Sequence, residues 1–224
     1  VYWNIFGLRG WLGLALNAKK IEKMLASIAQ CDPHVAKALN SIGCPAARIR
    51  PQGFETFLTT LISQQISKQA AETITGRVLA LMPQVAPGVF LGLPIELLRE
   101  AGMSMRKIEY TRELAKAISS GEFLPERLET MSDTEAIEHI VKLRGFGVWS
   151  AEIYLMFSLG REDIFPADDL IIRIALKKLK KKRVDLTPKH ARELVQHWSP
   201  YRSAGSLFLW HMHHKGLTMS RSAR

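Results

Sequence analysis

A chain of 224 residues with 47% hydrophobic side chains is long enough to bury a core of one large or two small lobes. Its 31 Lys and Arg against 21 Asp and Glu leave a formal charge of +10, which points to a polyanionic partner, either nucleic acid or an acidic lipid surface. Only two cysteines, Cys31 and Cys44, exclude a cysteine-held metal cluster and fit a reducing compartment with ordinary thiols.

The first twenty residues, VYWNIFGLRGWLGLALNAKK, are apolar and aromatic but are interrupted by Arg9. The apolar runs are too short to span a bilayer, and no basic segment precedes them as in a signal peptide. Residues 1–31 are therefore expected to form an N-terminal arm packed on the core. Asp32-Pro33 caps a first helix that ends at Gly43. A loop over Pro45–Gly53 leads to an apolar helix from Phe54 to Ser63. Gln64-Gln65-Ile66 interrupts the chain before Ser67 caps a helix reaching Met82. PQVAPGVFLGLP reads as a loop. Pro94 opens a short helix to Ala101, and Ser104 caps another ending near Gly121.

Ser132 and Glu135 form a capping box that starts SDTEAIEHIVKL. Gly145 and Gly147 break that helix at Arg144-Gly145-Phe146-Gly147, and Val148 restarts the chain as a helix that stops at Gly160. Asp168-Asp169 opens the next helix, whose end carries the basic run Lys177–Arg183. That run is either a solvated helix end or a DNA-facing patch. Thr187-Pro188 caps a further helix, and a last one spans Tyr201 to Lys215. Roughly ten helices and no alternating run predict an all-α fold.

A helix entered through glycines presents amide N–H groups with no Cβ in front of them. The Gly145–Val148 hairpin can thus hold a phosphate without reading a base. Taken alone, Asp168 and Asp169 read as helix caps. A phosphate grip followed by a positioned carboxylate points instead to chemistry on nucleic acid.

The blocks RPQGFETFLTTLISQQIS, GMSMRKIEYTRELA, LRGFGVWSAE, PADDLIIR and YRSAGSLFLW occur in this order between Asp32 and Trp210. Together with the all-helical context they resemble the helix-hairpin-helix (HhH-GPD) DNA glycosylases, in particular the bacterial 3-methyladenine DNA glycosylase II type. The resemblance implies a two-lobed helical bundle with its active site in the cleft between the lobes, and a single unit over residues 32–224. The family's N-terminal β-rich domain has no counterpart here, so a compact version is expected.

The resemblance maps the catalytic carboxylate onto Asp169 and leaves Asp168 as a cap or an ion-pair partner. Trp149 stands where bifunctional relatives hold a lysine. An indole cannot form a Schiff base, so the implied reaction is hydrolysis without strand cleavage. The four-cysteine run that binds an iron–sulfur cluster in some relatives is missing, and no cofactor is expected. Trp149 and Trp210 match aromatic positions of the base pocket, although each is open to the plainer reading of a core residue. The family's pocket tyrosine falls on Ile153, with Tyr154 beside it and pointing elsewhere.

Gln65, with Gln64 next to it, matches the wedge that fills the duplex after base flipping; on its own the segment is a polar turn. Gly145, Phe146, Gly147 and Val148 are implied to hold the DNA phosphate. Carbonyls around Val141, Leu143 and Phe146 are the implied ligands of a monovalent cation, and no catalytic metal is expected. His211, His213 and His214 read as imidazoles complementing a helix end.

The expected function is excision of alkylated purines, flipped out of double-stranded DNA, in base excision repair. An intracellular monomer is expected, in the cytoplasm or nucleoid of a bacterium, with an abasic-site endonuclease acting downstream. The alternatives are a glycosylase for uracil or deaminated mismatches and a non-catalytic DNA-binding hairpin module.

Overall fold

The computed structural model describes residues 16–216, so residues 1–15 of the expected arm lie outside the described residues. Among the described residues are twelve α-helices, two short 3-10 turns and no strand. In chain order the first six helices are α1 (Ala18–Cys31), α2 (Pro33–Ile42), α3 (Phe54–Ser63), α4 (Lys68–Ala80), α5 (Pro87–Gly92) and α6 (Ile95–Glu100). They are followed by α7 (Met105–Ser119), α8 (Asp133–Val141), α9 (Val148–Phe157), α10 (Leu170–Leu179), α11 (Pro188–Leu194) and α12 (Arg202–His214). None of these helices is long and apolar enough to cross a membrane.

The backbone divides into two units. One comprises Val1–Ile49 with Leu155–Arg224, and the other is Arg50–Tyr154, so that the division falls inside α9.

In the first unit, α12 is buried on nearly all sides, from Ser203 through Trp210. A helix without a polar face belongs at the centre of a core. Helix α1 was not expected from the sequence. Asn17 caps it by accepting the Lys20 amide at 3.0 Å, and Ile21, Met24, Leu25 and Ile28 form its buried stripe. The cap and the helical spacing are both present in the sequence, directly after the aromatic stretch that suggests an arm.

Asp32 is the polar hub of this unit and is only 2% exposed. It caps α2 through the amides of His34 and Val35, and its other oxygen accepts from Lys180 at 2.5 Å and from the Trp198 indole at 2.7 Å. His197 lies 3.1 Å from the same oxygen. Burial by itself would raise this carboxyl; the bonds from Lys180, Trp198 and His197 and the Lys180 charge outweigh it, so it falls to about 2. The His34 ring also meets the Leu179 carbonyl at 2.8 Å. The C-terminal end of α10 is thereby fastened twice.

The second unit is built around Phe57. Its ring stacks on Tyr154 at 4.3 Å and meets Phe123 at 5.4 Å and Phe146 at 5.3 Å edge-on. The segment expected as a loop, PQVAPGVFLGLP, contains helix α5. Pro87 occupies the first turn, where its missing N–H costs nothing, and Phe90 is buried edge-on against Phe54 at 5.9 Å. Proline and glycine density suggested a loop; one anchored aromatic made it a helix.

Candidate DNA-processing site

The hairpin between α8 and α9 begins where expected. Both arms of the Ser132–Glu135 capping box are present, and α8 gives way to the turn after Val141. The two glycines of the turn serve different ends. Gly145 has φ +89°, and a Cβ there would lie 2.9 Å from Leu61 Cδ2 and collide with the Tyr110 ring. Backbone conformation and packing both demand glycine at that position. Gly147 has neither constraint: it is exposed, and a Cβ built on it meets nothing within 4 Å. The space in front of it is open to an approaching anion, beside the first-turn amides of α9, which have no intrahelical carbonyl to bond.

Phe146 departs from its expected role. Its amide donates to the Leu143 carbonyl at 3.1 Å, and its ring is buried against Phe57. It anchors the turn to the core, which leaves Gly147 and Val148 as the exposed part of the expected phosphate grip. Of the carbonyls around Val141, Leu143 and Phe146, that of Leu143 accepts the Phe146 amide. Among the described residues no group of three or more His, Cys, Asp or Glu side chains is placed to hold a metal.

The break after α3 is a tight turn in which Gln65 is exposed and adopts φ +58°. A non-glycine residue in the left-handed region is uncommon and needs support from its surroundings. Gln64 faces inward: its side-chain amide donates to the Gly145 carbonyl at 2.8 Å. Lys107, from α7, donates to the carbonyls of Ile62 and Gln64, both at 2.8 Å. Burial pushes the Lys107 ammonium below the usual lysine range. Nothing in the sequence marked Lys107, because its partners are backbone atoms far along the chain.

Trp149 is 39% exposed. With Ser63, Gln64, Gln65 and the two hairpin glycines it lines a cavity of about 390 Å³. The expected wedge, phosphate grip and one pocket tryptophan are thus neighbours within the second unit. A larger cavity of about 490 Å³, lined by Arg50, Thr59, Lys68 and Glu72 among others, contains none of the expected site residues. Ile153 and Tyr154 are buried, and the Tyr154 hydroxyl accepts the Gly53 amide at 3.0 Å. Burial holds that phenol up at about 12.

The first unit carries Asp169 and Trp210. Asp169 is half-buried and is itself the cap of α10, accepting the Ile172 amide at 3.0 Å. Asp168, exposed, pairs with Arg192 at 3.5 Å. The capping role left open for Asp168 therefore falls to its neighbour. The loop before Asp169 is tied down at several points. Its own amide donates to the Pro166 carbonyl at 3.0 Å, and Arg173 reaches back to the Ala167 carbonyl at 2.8 Å. Upstream, Asp163 takes two bonds from the Arg202 guanidinium, at 2.7 and 2.8 Å.

Trp210 is 7% exposed and lies near Phe157, and the Arg48 guanidinium sits 5.8 Å from its ring centroid. The cation that this indole attracts here is the chain's own. In the basic run, Lys177 pairs with Asp185 at 2.7 Å and Lys180 with Asp32; Lys181, Lys182 and Arg183 are exposed. His211 bonds the Ile42 carbonyl at 3.2 Å, a structural contact.

Known proteins share this architecture. The chain is 26% identical over 212 residues to DNA-3-methyladenine glycosylase 1 of Schizosaccharomyces pombe, covering 88% of this chain and 92% of that one. Its backbone matches the S. pombe 3-methyladenine DNA glycosylase solved in complex with abasic DNA, with a TM-score of 0.80 at 26% identity, over 89% of this chain and all of that one. DNA-3-methyladenine glycosidase of Bacillus halodurans matches with a TM-score of 0.78 at 29% identity, over 89% and 93% of the two chains. Residues 58–200 match one family, a span that holds the Gln64-Gln65 turn, the hairpin and Asp169. The chain belongs to the HhH-GPD superfamily of base excision DNA repair proteins.

Proposed function

We propose that this protein is a monofunctional DNA glycosylase that removes alkylated purines of the 3-methyladenine type and leaves an abasic site. The observation that carries this reading is Trp149, a solvent-facing indole beside the wedge turn and the open Gly147. An N-alkylated purine is cationic, and an indole face attracts it by about 0.5–2 kcal/mol. That margin is small, so selectivity also uses the weak glycosidic bond of the lesion and the ease of flipping a poorly stacked nucleotide. The S. pombe and B. halodurans relatives are named for 3-methyladenine, which supports the same choice.

Gly147 and Val148 hold a backbone phosphate while Gln65 enters the stack. A glutamine fills the gap and also hydrogen-bonds the orphaned base. As the C1′–N bond lengthens, positive charge builds on the sugar. The Asp169 carboxylate stabilises that charge and orients the water that attacks C1′. The base leaves with the bond pair, and water supplies the hydroxyl on the sugar. Trp210 either flanks the base or packs in the core. The protein acts as a monomer on double-stranded DNA, and an abasic-site endonuclease takes over its product.

Duplexes that each carry one lesion test the proposal. Base release from methylated purines, none from uracil, and strands that stay intact until alkali treatment are expected. Release from uracil alone would move the reading to deaminated bases. Strand cleavage without alkali would overturn the hydrolytic assignment, and tight binding without release would leave a binding module.

A further inference from the structure

Lys107, Tyr110 and Glu113 stand three residues apart on α7 and so share one face. Each grips a different part of the site. Lys107 holds the turn after α3 by two carbonyls, at 2.8 Å each. Tyr110 packs against Gly145 so closely that no side chain fits there. Glu113 accepts from Arg144 at 2.6 Å, and the Arg144 guanidinium lies 5.2 Å from the Tyr110 ring centroid. Gln64 closes the circuit by donating to the Gly145 carbonyl at 2.8 Å. Wedge turn and hairpin are therefore both referenced to one helix and to each other.

The Lys107 contact is the demanding one. A point charge with three donors, placed at the C-terminal end of α3, satisfies two diverging carbonyls and complements the helix dipole. The second carbonyl is that of Gln64, whose exposed neighbour, Gln65, is held at φ +58°. The Glu113–Arg144 pair is about half exposed and contributes direction more than energy.

We propose that Lys107 is a positioning residue for base flipping: through α7 it sets the wedge turn in register with the phosphate-holding hairpin, so that a phosphate seated at Gly147 brings Gln65 to the neighbouring base step. The proposal rests on the wedge and hairpin roles given above. A merely structural lysine would affect folding or binding as a whole. A register lysine affects opening of the stack after binding.

The test uses the full chain and a duplex with 2-aminopurine next to a methylated purine. For Lys107→Met, binding by anisotropy should stay within about threefold of the parent, because the hairpin amides are untouched. The 2-aminopurine rise and the single-turnover release rate should fall together, on the order of a hundredfold, as a small misplacement of positioning groups does. Lys107→Arg, which keeps donors at that point, should recover most of the loss. Gln64→Met, which cuts the second link, should show a smaller loss of the same kind and carries the test if Lys107→Met does not fold. Normal unstacking by both variants, or binding lost in parallel with unstacking, would overturn the proposal. Unstacking by the parent protein without release of a methylated base would refute the substrate reading, while the fluorescence comparison still decides the role of Lys107.

Discussion

Asp32 and Asp169 occupy the same local position, each capping the helix that follows it by accepting early amides. Their surroundings separate them. Asp32 is 2% exposed, and its second oxygen is held by Lys180, Trp198 and His197. Asp169 is half-buried at the end of a short tied loop, at the far end of α10 from the Asp32 hub. The pair teaches that one local role, a helix cap, can sit at a buried polar hub or at the half-buried end of a loop, and no sequence window displays which.

The sharpest way to break this contrast is to neutralise each carboxylate without removing its cap, since asparagine caps a helix as well as aspartate. Asp169→Asn should lower the single-turnover release rate at least about a hundredfold, the loss typical of one electrostatic group, while urea unfolding stays nearly unchanged. An unchanged rate would return Asp169 to an ordinary cap.

Asp32→Asn should do the reverse, costing about 3 kcal/mol in urea unfolding because Lys180 is left buried without its counter-charge. The rate per folded molecule should move by no more than a few-fold. Acid sharpens the same point. The folded Asp32 carboxyl titrates near 2, below its ordinary value of 3.8, so its stabilisation is complete above about pH 4 and is lost as pH falls towards 2. That loss, about 2 kcal/mol after allowing for solvent screening, should be missing from the acid titration of Asp32→Asn.

The smallest effect is expected from Asp168→Asn. Its 3.5 Å pair with Arg192 is solvent-exposed and should change stability by less than about 0.5 kcal/mol, with release unaltered. A large loss of rate in that variant would mean that the two adjacent aspartates had been assigned the wrong way round.

Features written in short-range chemistry were legible from the residues. The capping box at Ser132, the caps at Ser67, Ser104 and Thr187, and the break at Gln64-Gln65 all appear where the side chains place them. These signals are local and need no partner elsewhere. Helix α5 was missed because Phe90 becomes an anchor only when Phe54 is beside it. The inward bond of Gln64, the engaged amide of Phe146 and the reach of Lys107 were likewise invisible, since each is settled by a backbone atom that another element supplies. Asp169 was singled out only through the resemblance; its own residues read as a helix cap shared with Asp168, and α10 shows which of the two is the cap.

The unequal glycines of the hairpin make it a reporter of its proposed role. At Gly145 any side chain is barred by Tyr110 and Leu61, so substitution there measures folding. At Gly147 the folded protein leaves room for a methyl group and asks for no special backbone angle. Alanine at that position is a molecular feeler gauge: whatever function it removes measures how closely the DNA strand must come, with the fold itself as the constant background.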